Sequence, residues 1–497
     1  MERLMTRIPI ARWPRDMPPR GATGPMFVAA VGAVLLWHLA AAYGGDSKLQ
    51  HPNIVFIMAD DLGWSDLACF GADLHRTPNI DRLARQSVRF TDAYAASPVC
   101  TPTRASILTG KYPARLHMTI WREAALNRGH RKLLEPVTRA DLPREETTLA
   151  ELLQQHGYYT AHIGKWHLGS ASYYPQAHGF HINIGGTLWG APQTYFYPFR
   201  GQQYYSDWRY VPDLEPGKPG DYLTDRLTDE ALRIIEQNVD RPFFLQLWFH
   251  SVHTPIEGKR KLVKRFAGRA GNARHHRNPH YAAMVASVDQ NVGRVLARLK
   301  DTGLADRTIV VFFSDNGGYV GESRLQPGLP VTSNAPLRSG KGSLYEGGIR
   351  VPLIVRLPRS NRSGTVCHTP VISCDLLPTL LTLAGLANDI PHDVDGIDIS
   401  PLFENPQQPL PRDALFFHYP HYYPTTTPVS AVRQGKWKLL HYYEDDHVEL
   451  YDLASDLSET HDLAMQRPMI ARRLKARLDE WRGSMRAQEP QRRGENR

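Results

Sequence analysis

The chain has 497 residues, 42% of them hydrophobic, which excludes global disorder and leaves room for two or three domains. The net charge is +9, but residues 1–25 hold five Arg against one Glu and one Asp, so the remainder carries only about +6. That mild excess suits an anionic substrate without calling for nucleic acid, and four cysteines are too few for a disulfide scaffold.

In chain order, residues 1–45 read first as a signal peptide or membrane anchor. A basic stretch ends near Arg20, Met26 to Ala42 is mostly apolar, and Ala40-Ala41-Ala42 offers a small-residue cleavage site. The run is shorter than the roughly 20 residues of a spanning helix, and His38 interrupts it. A cleaved signal is the preferred reading, with membrane contact only if the segment stays attached. Either way the catalytic part is expected outside the cytoplasm: periplasmic, secreted or anchored.

Ile54 to Met58 is a short apolar run, as in a strand buried on both faces, and it ends in Asp60-Asp61. Thr77-Pro78 predicts a helix start. Thr148 to His156 predicts a helix, and Tyr159 to Ile163 a strand leading to Lys165 and His167. Thr224 to Asn238 predicts another helix. Phe243 to Phe249 is a strand-like run leading to His250 and His253, followed by a helix over Tyr281 to Lys300. Thr308 to Phe313 repeats the plan and ends in Ser314-Asp315-Asn316. Strands alternating with helices predict an α/β fold with a mainly parallel central sheet flanked by helices. Ligands collect at the carboxyl ends of such strands, and four apolar runs end there in Asp, Asn, His or Lys.

The large domain is expected over 50–386. From 387 to 490 a smaller C-terminal α+β domain is expected, with strands at Ala431-Val432-Arg433 and Trp437 to Tyr443 in an antiparallel meander and a helix over Pro468 to Met485. Residues 491–497 read as a disordered tail. Cys367 and Cys374 could pair in an oxidising compartment, and the sequence leaves that open.

Three features carry chemistry. Cys100 precedes Thr101-Pro102, a helix cap followed by proline at the first helical position, so its surroundings favour an anion. Arg104, one turn on, can face the same point. A buried structural cysteine, a thiolate nucleophile and a modified nucleophile are all open; against the thiolate, only three residues separate Cys100 from Arg104 and no glycine-rich cradle is present. Asp60, Asp61, Asp315 and Asn316 offer hard oxygen donors, which select Ca²⁺ or Mg²⁺ over zinc, although acidic residues after strands also serve as caps and turn formers. Lys165, His167, His253 and Lys341 complete a polar set, with His250 a nearby competitor of His253.

The run Cys100-Thr101-Pro102-Thr103-Arg104, with Ala105 to Gly110 behind it, resembles the Cys-x-Pro-x-Arg signature of the formylglycine-dependent sulfatases. Thr103 stands where Ser is commoner. Gly164-Lys165-Trp166-His167 is similar to another motif of that family, as are Val252-His253-Thr254-Pro255, with Val for the commoner Pro, and Gly340-Lys341 through Gly347-Gly348. The resemblance implies an alkaline-phosphatase-like fold and hydrolysis of sulfate esters. It implies that a maturation enzyme oxidises Cys100 to formylglycine, and that Asp60, Asp61, Asp315, Asn316 and the modified Cys100 share one divalent ion, usually Ca²⁺ with Mg²⁺ as alternative. It further implies that Arg104 belongs to the catalytic set, Lys165 holds the sulfate, His167 contacts the formylglycine hydrate, and His253 and Lys341 serve the leaving group.

Two other readings stay open: a phosphomonoester or phosphonate-ester hydrolase on the same fold, and an inactive binding homologue, whose mark would be a lost nucleophile or metal ligand. The substrate is expected to be a sulfated small molecule or polysaccharide. Lys259 to Arg277, rich in Lys and Arg, is either a groove for a polyanion or a solvated face. The aromatics between Trp189 and Tyr210 either stack on substrate or pack locally.

Overall fold

A computed structural model describes residues 51–126, 131–359 and 364–492. The expected N-terminal signal or anchor lies outside these residues. Among the described residues no helix is long and apolar enough to cross a membrane.

The elements that frame the site are, in chain order, β1 (Asn53–Ala59), α1 (Pro78–Arg85), β2 (Val88–Tyr94), α2 (Cys100–Thr109), α3 (Leu149–Gln155), β3 (Tyr159–Gly164) and β4 (Ile182–Ile184). Then come α4 (Leu223–Gln237), β5 (Phe243–Trp248), α5 (Arg260–Ala270), α6 (Pro279–Asp301), β6 (Thr308–Ser314), β7 (Arg350–Arg356), β8 (Thr365–Cys367) and α7 (Leu376–Leu383). The central sheet has the order β8-β2-β7-β6-β1-β5-β3-β4, with Val371–Ile372 also pairing with β2. Every pairing in it is parallel except those of β7, which runs antiparallel to both β2 and β6. The carboxyl ends of β1, β2, β3, β5 and β6 therefore lie at one edge, and the entry to β7 lies there too.

The apolar runs form strands because both faces of the sheet are covered. Along β1, Val55 and Ile57 face one core with α1, α4 and α6, while Ile54, Phe56 and Met58 face the other with α2, α3 and α7. Full burial of each such side chain contributes about 1.5–3 kcal/mol. The predicted helices form within a residue or two of expectation, and α3 is capped reciprocally by Thr148 and Glu151. One local reading is corrected: α2 begins at Cys100 itself, after Val99, and Thr101 is no cap. Its hydroxyl instead donates to the carbonyl of His167 at 2.8 Å. The segment around Val252 forms a turn, in which the His253 amide donates back to the His250 carbonyl at 3.1 Å.

A second, four-stranded antiparallel sheet follows: β9 (Ala414–Tyr419), β10 (Val429–Gln434), β11 (Trp437–Tyr442) and β12 (Val448–Asp452), in sequential order. Helix α8 (Pro468–Met485) packs on it through Leu474, Leu478 and Trp481. At the start of the expected tail, Gln491–Arg492 pair with Leu133–Leu134, and the rest of it, 493–497, lies outside the described residues.

A buried charge network ties this sheet to the edge where the strand ends gather. Lys438 Nζ lies 2.8 Å from both Glu346 Oε1 and Glu459 Oε1, all three side chains being fully buried. Tyr94 donates to Glu346 Oε2 at 2.6 Å, and Asp92 is gripped by Arg350 and Arg433. Removing one member leaves uncompensated buried charge, so Lys438→Met is expected to cost about 3–5 kcal/mol. Chemical denaturation of the variant beside the unaltered protein checks this; an unchanged midpoint would contradict the assignment.

Candidate active site

Each functional side chain stands where a strand releases the chain. Asp60 and Asp61 follow β1, Lys165 and His167 follow β3, His253 follows β5, and Asp315 and Asn316 follow β6. Cys100 opens α2 in the connection after β2. Lys341 arrives from the opposite direction, on the segment that leads into β7. That segment is held by close backbone contact: the Gly317 amide donates to the Gly348 carbonyl at 2.9 Å, and a Cβ on Gly317 would sit 1.9 Å from the carbonyl oxygen of Gly347. The two glycine pairs in these motifs thus let the β6 and β7 loops touch. Asp61 (φ 61°) and His167 (φ 59°) both adopt the left-handed region that favours glycine, so two strained residues fall in one site.

The site is a buried exchange of charge. Arg104 donates from Nε and Nη2 to Asp315 Oδ2 at 2.9 and 2.7 Å, and from Nη1 to the Lys165 carbonyl at 2.8 Å. Lys165 Nζ donates to Asp60 Oδ2 at 2.7 Å. Lys341 Nζ lies 2.8 Å from Asp61 Oδ1, and Asn316 Nδ2 donates to the same oxygen at 2.8 Å. His253 Nε2 is 3.5 Å from Asp61 Oδ2. The Cys100 sulfur lies 3.7 Å from Asp60 Oδ1.

The ionisation states follow from burial and neighbours. Burial, with Asp315 adding to it, holds the Asp60 carboxyl well above the usual carboxylate range. Burial would do the same to Asp61, but Lys341 and His253 reverse it and hold Asp61 low. Burial pushes the Cys100 thiol up to about 12, against the pull of Lys165 and Lys341, so an unmodified thiol there stays protonated at neutral pH. Burial brings His167 down to about 4 and, with Lys341, brings His253 down to about 3, so both imidazoles are neutral.

The donor set fits a hard divalent cation. Asp60, Asp61, Cys100 and His253 each offer a ligand atom within 4.8 Å of the others. Asp315 and Asn316 complete an oxygen-rich cage, and Asn316 Oδ1 is buried with no hydrogen-bond partner. Three carboxylates already face Arg104, Lys165 and Lys341. Adding a divalent cation leaves a net positive cage, which an anionic ester balances.

A cavity of about 350 Å³ opens above Cys100. His167, His253, Lys341 and Asp61 line it, whereas His250 does not. Arg104 and Lys165 are fully buried behind it. Of the aromatic stretch, Tyr204 and Tyr205 reach the cavity, and Trp121, Tyr319 and Tyr423 join them. None of the residues from Lys259 to Arg277 lines it, and α5 buries only Phe266, so that basic stretch reads as a solvated face. All four cysteines, Cys367 and Cys374 included, are free thiols.

Sequence reasoning missed Glu123. Its Oε2 lies 2.6 Å from His167 Nε2, and its Oε1 accepts from the Gly190 amide at 3.1 Å. Burial would raise the Glu123 carboxyl, but His167 overrides this and keeps it low. An ionised carboxylate only accepts, so Nε2 carries the hydrogen. His167 Nδ1 then keeps a lone pair, and it is buried without a partner. Gly190 is required beside it, since a Cβ there would lie 2.3 Å from His167 Cε1. Nothing local in Trp121-Arg122-Glu123 announces this pairing across 44 positions.

Comparison with known proteins agrees with this geometry. The sulfatase family model matches residues 52–386, and the model described as N-sulphoglucosamine sulphohydrolase, C-terminal, matches 340–484. A sulfatase of Formosa agariphila is 32% identical over 494 residues, covering 86% of this chain and 87% of that one. Arylsulfatase A of Homo sapiens is 36% identical over 419 residues, covering 80% and 76%. The crystal structure of Ps i-CgsB in complex with k-i-k-neocarrahexaose superposes with a TM-score of 0.72 at 30% identity, covering 87% of this chain and 93% of that one. Fold and site together define a sulfuric ester hydrolase on an alkaline-phosphatase-like scaffold. The chain belongs to the sulfatase family.

The Glu123–His167 pair yields a test. Glu123→Gln keeps the shape but no longer dictates the tautomer, and turnover of an aryl sulfate is expected to fall about 10²-fold with little change in KM. Steady-state kinetics read this directly; unchanged kcat would remove Glu123 from the chemistry.

Proposed function

We propose that the chain releases inorganic sulfate from a sulfated carbohydrate, using Cys100 oxidised to formylglycine and one hard divalent ion. The observation that carries this is the setting of Cys100: the first residue of a helix, 3.7 Å from Asp60, at the floor of a cavity lined by His167, His253 and Lys341. Asp60, Asp61, Asp315 and Asn316 would hold the ion, Ca²⁺ by preference and Mg²⁺ as alternative. The ion, when bound, supplies charge that polarises the sulfate group and lowers the pKa of an attacking hydroxyl. A hydrated aldehyde at position 100 offers that hydroxyl, and its second hydroxyl gives a route for releasing sulfate as the carbonyl returns.

The chain's own residues divide the remaining work. Arg104 spends its donors on Asp315 and the Lys165 carbonyl, so it positions the cage and leaves sulfate to others. Lys165 and Lys341 place positive charge around the group to be transferred. Lys341 and His253 stand on the cavity side of Asp61, where they can stabilise or protonate the leaving oxygen. His167, with Nδ1 unpartnered and Nε2 tied to Glu123, is placed to take a proton at position 100.

A carbohydrate substrate is supported by the ring-lined cavity and by the sugar held in Ps i-CgsB. Tyrosine and tryptophan faces suit the C–H faces of sugars, and the volume suits one or two rings. The basic and apolar segment within residues 1–45 supports action outside the cytoplasm, after export. Maturation then requires a separate oxidising enzyme.

Mass spectrometry of the peptide holding Cys100 is expected to show an aldehyde or its hydrate in place of the thiol. A fully active protein with an intact thiol sinks the mechanism. Cys100→Ser is expected to abolish multiple turnover, because a serine ester has no second hydroxyl to expel sulfate. Asp315→Ala is expected to weaken Ca²⁺ binding in isothermal titration, and unchanged affinity would remove Asp315 from the cage. Parallel assays of an aryl sulfate, an aryl phosphate and sulfated oligosaccharides read the ester class; faster hydrolysis of the phosphate would overturn it.

A further inference from the structure

A second group of ligating side chains begins five residues beyond Asp61 in the chain, at Asp66. Asp66, His75 and His276 are each no more than 2% exposed, and one ligand atom of each lies within 4.8 Å of the other two. They come from three segments: the single turn Trp64–Asp66, the stretch before α1, and the stretch before α6.

Both imidazoles are held as metal-bound histidines are. Nδ1 of His276 lies 2.7 Å from Asp73 Oδ1, and Nδ1 of His75 lies 2.8 Å from the carbonyl oxygen of Asp66. Histidine ligands characteristically donate their far N–H to such a carboxylate or carbonyl, which fixes the tautomer; this leaves His276 Nε2 toward Asp66, whereas the His75 nitrogen nearest the Asp66 carboxylate is Nδ1 itself, 3.7 Å from Oδ1. Asp73 is itself anchored by the amides of Arg274, His275 and His276, at 2.7, 2.8 and 3.1 Å.

The spacing suits either a proton or an ion. His276 Nε2 is buried without a hydrogen-bond partner and faces Asp66 Oδ1 at 3.3 Å. Burial would lower the His276 imidazole, but Asp66 and Asp73 reverse this and hold it above its ordinary value, so without an ion a proton there offsets the two carboxylates. Two ligands about 2.0–2.1 Å from a tetrahedral ion sit about 3.3 Å apart. Burial also brings His75 down to about 4, so it is neutral and able to ligate. Imidazole nitrogens with one carboxylate oxygen select a zinc-class ion over Ca²⁺.

We propose that Asp66, His75 and His276 bind a structural divalent ion of the zinc class, separate from the hard-cation cage of Asp60 and Asp315. Thr332 Oγ1 donates to Asp66 Oδ1, while Tyr281 and the Gly63 amide donate to Oδ2, at 2.6, 2.6 and 2.7 Å. The Tyr281 hydroxyl is also 3.3 Å from the Asp61 carbonyl oxygen. The ion therefore pins the chain just beyond Asp61 to the start of α6.

The test counts metal in the full-length protein. After loading with Zn²⁺ and desalting, elemental mass spectrometry is expected to find about one zinc per chain in the unaltered protein. His276→Ala and His75→Asn are each expected to lose it while keeping their Ca²⁺ content. Substitution with Co²⁺ is expected to give the visible bands of a four-coordinate site, absent in His75→Asn. The circular dichroism of His75→Asn shows whether it folds, so it decides the matter if His276→Ala does not. No zinc retained by the unaltered protein, or equal zinc in protein and folded variants, overturns the proposal and leaves an Asp66–His276–Asp73 ion triplet only.

Discussion

The structure depends on one electrostatic constraint: three carboxylates are buried together at the end of a parallel sheet. Asp60, Asp61 and Asp315 are at most 3% exposed. Charges so placed cost many kcal/mol unless compensated. Arg104, Lys165 and Lys341 supply the compensation, one from a helix, one from a strand end and one from a loop. No two of these partners are neighbours in sequence. The cage can form only when the sheet, α2 and the loop before β7 are all in place, so folding and assembly of the site are the same event.

The single antiparallel strand makes this possible. Parallel strands bring their carboxyl ends to one edge, and they bring only residues that follow strands. Lys341 precedes one. Because β7 runs against β2 and β6, the chain enters it at the catalytic edge and carries Lys341 there on the way. The same segment carries Glu346, which meets Lys438 of β11. The C-terminal sheet is thus wired to the catalytic loop through a buried ion pair. Such a pair contributes less to net stability than to fixing one arrangement among several.

How much of this was legible follows from the range of each interaction. The strands β1, β5 and β6 are readable because burial on both faces leaves continuous apolar runs, and the polar residues after them stand out. Strand β2 reads Val-Arg-Phe-Thr-Asp-Ala-Tyr, since Asp92 is paid off by Arg350 and Arg433 from distant segments. Strand β7 carries Pro352, which hides it; its register against β2 shifts there, as proline in a sheet requires. The hard-oxygen character of Asp60, Asp61, Asp315 and Asn316 was readable from residue identity, and so was their place after strands. What Arg104 grips was not, because a motif gives residue identity without direction. Glu123 and the Asp66–His75–His276 group had no local pattern at all, as their partners are joined only by the fold.

Thr101 shows how a misread cap leads to a structural reason. A cap there would have left Cys100 outside the helix, free to swing. With Cys100 as the first helical residue, the Thr101 hydroxyl is released to bond the His167 carbonyl, and Arg104 Nη1 bonds the Lys165 carbonyl from one turn further along. Two side chains of α2 therefore hold both ends of the Lys165–His167 turn. Cys100, the lysine on Asp60 and the histidine paired with Glu123 are thereby fixed relative to one another. Such mutual fixing matters because small errors in the spacing of functional groups cost large factors in rate.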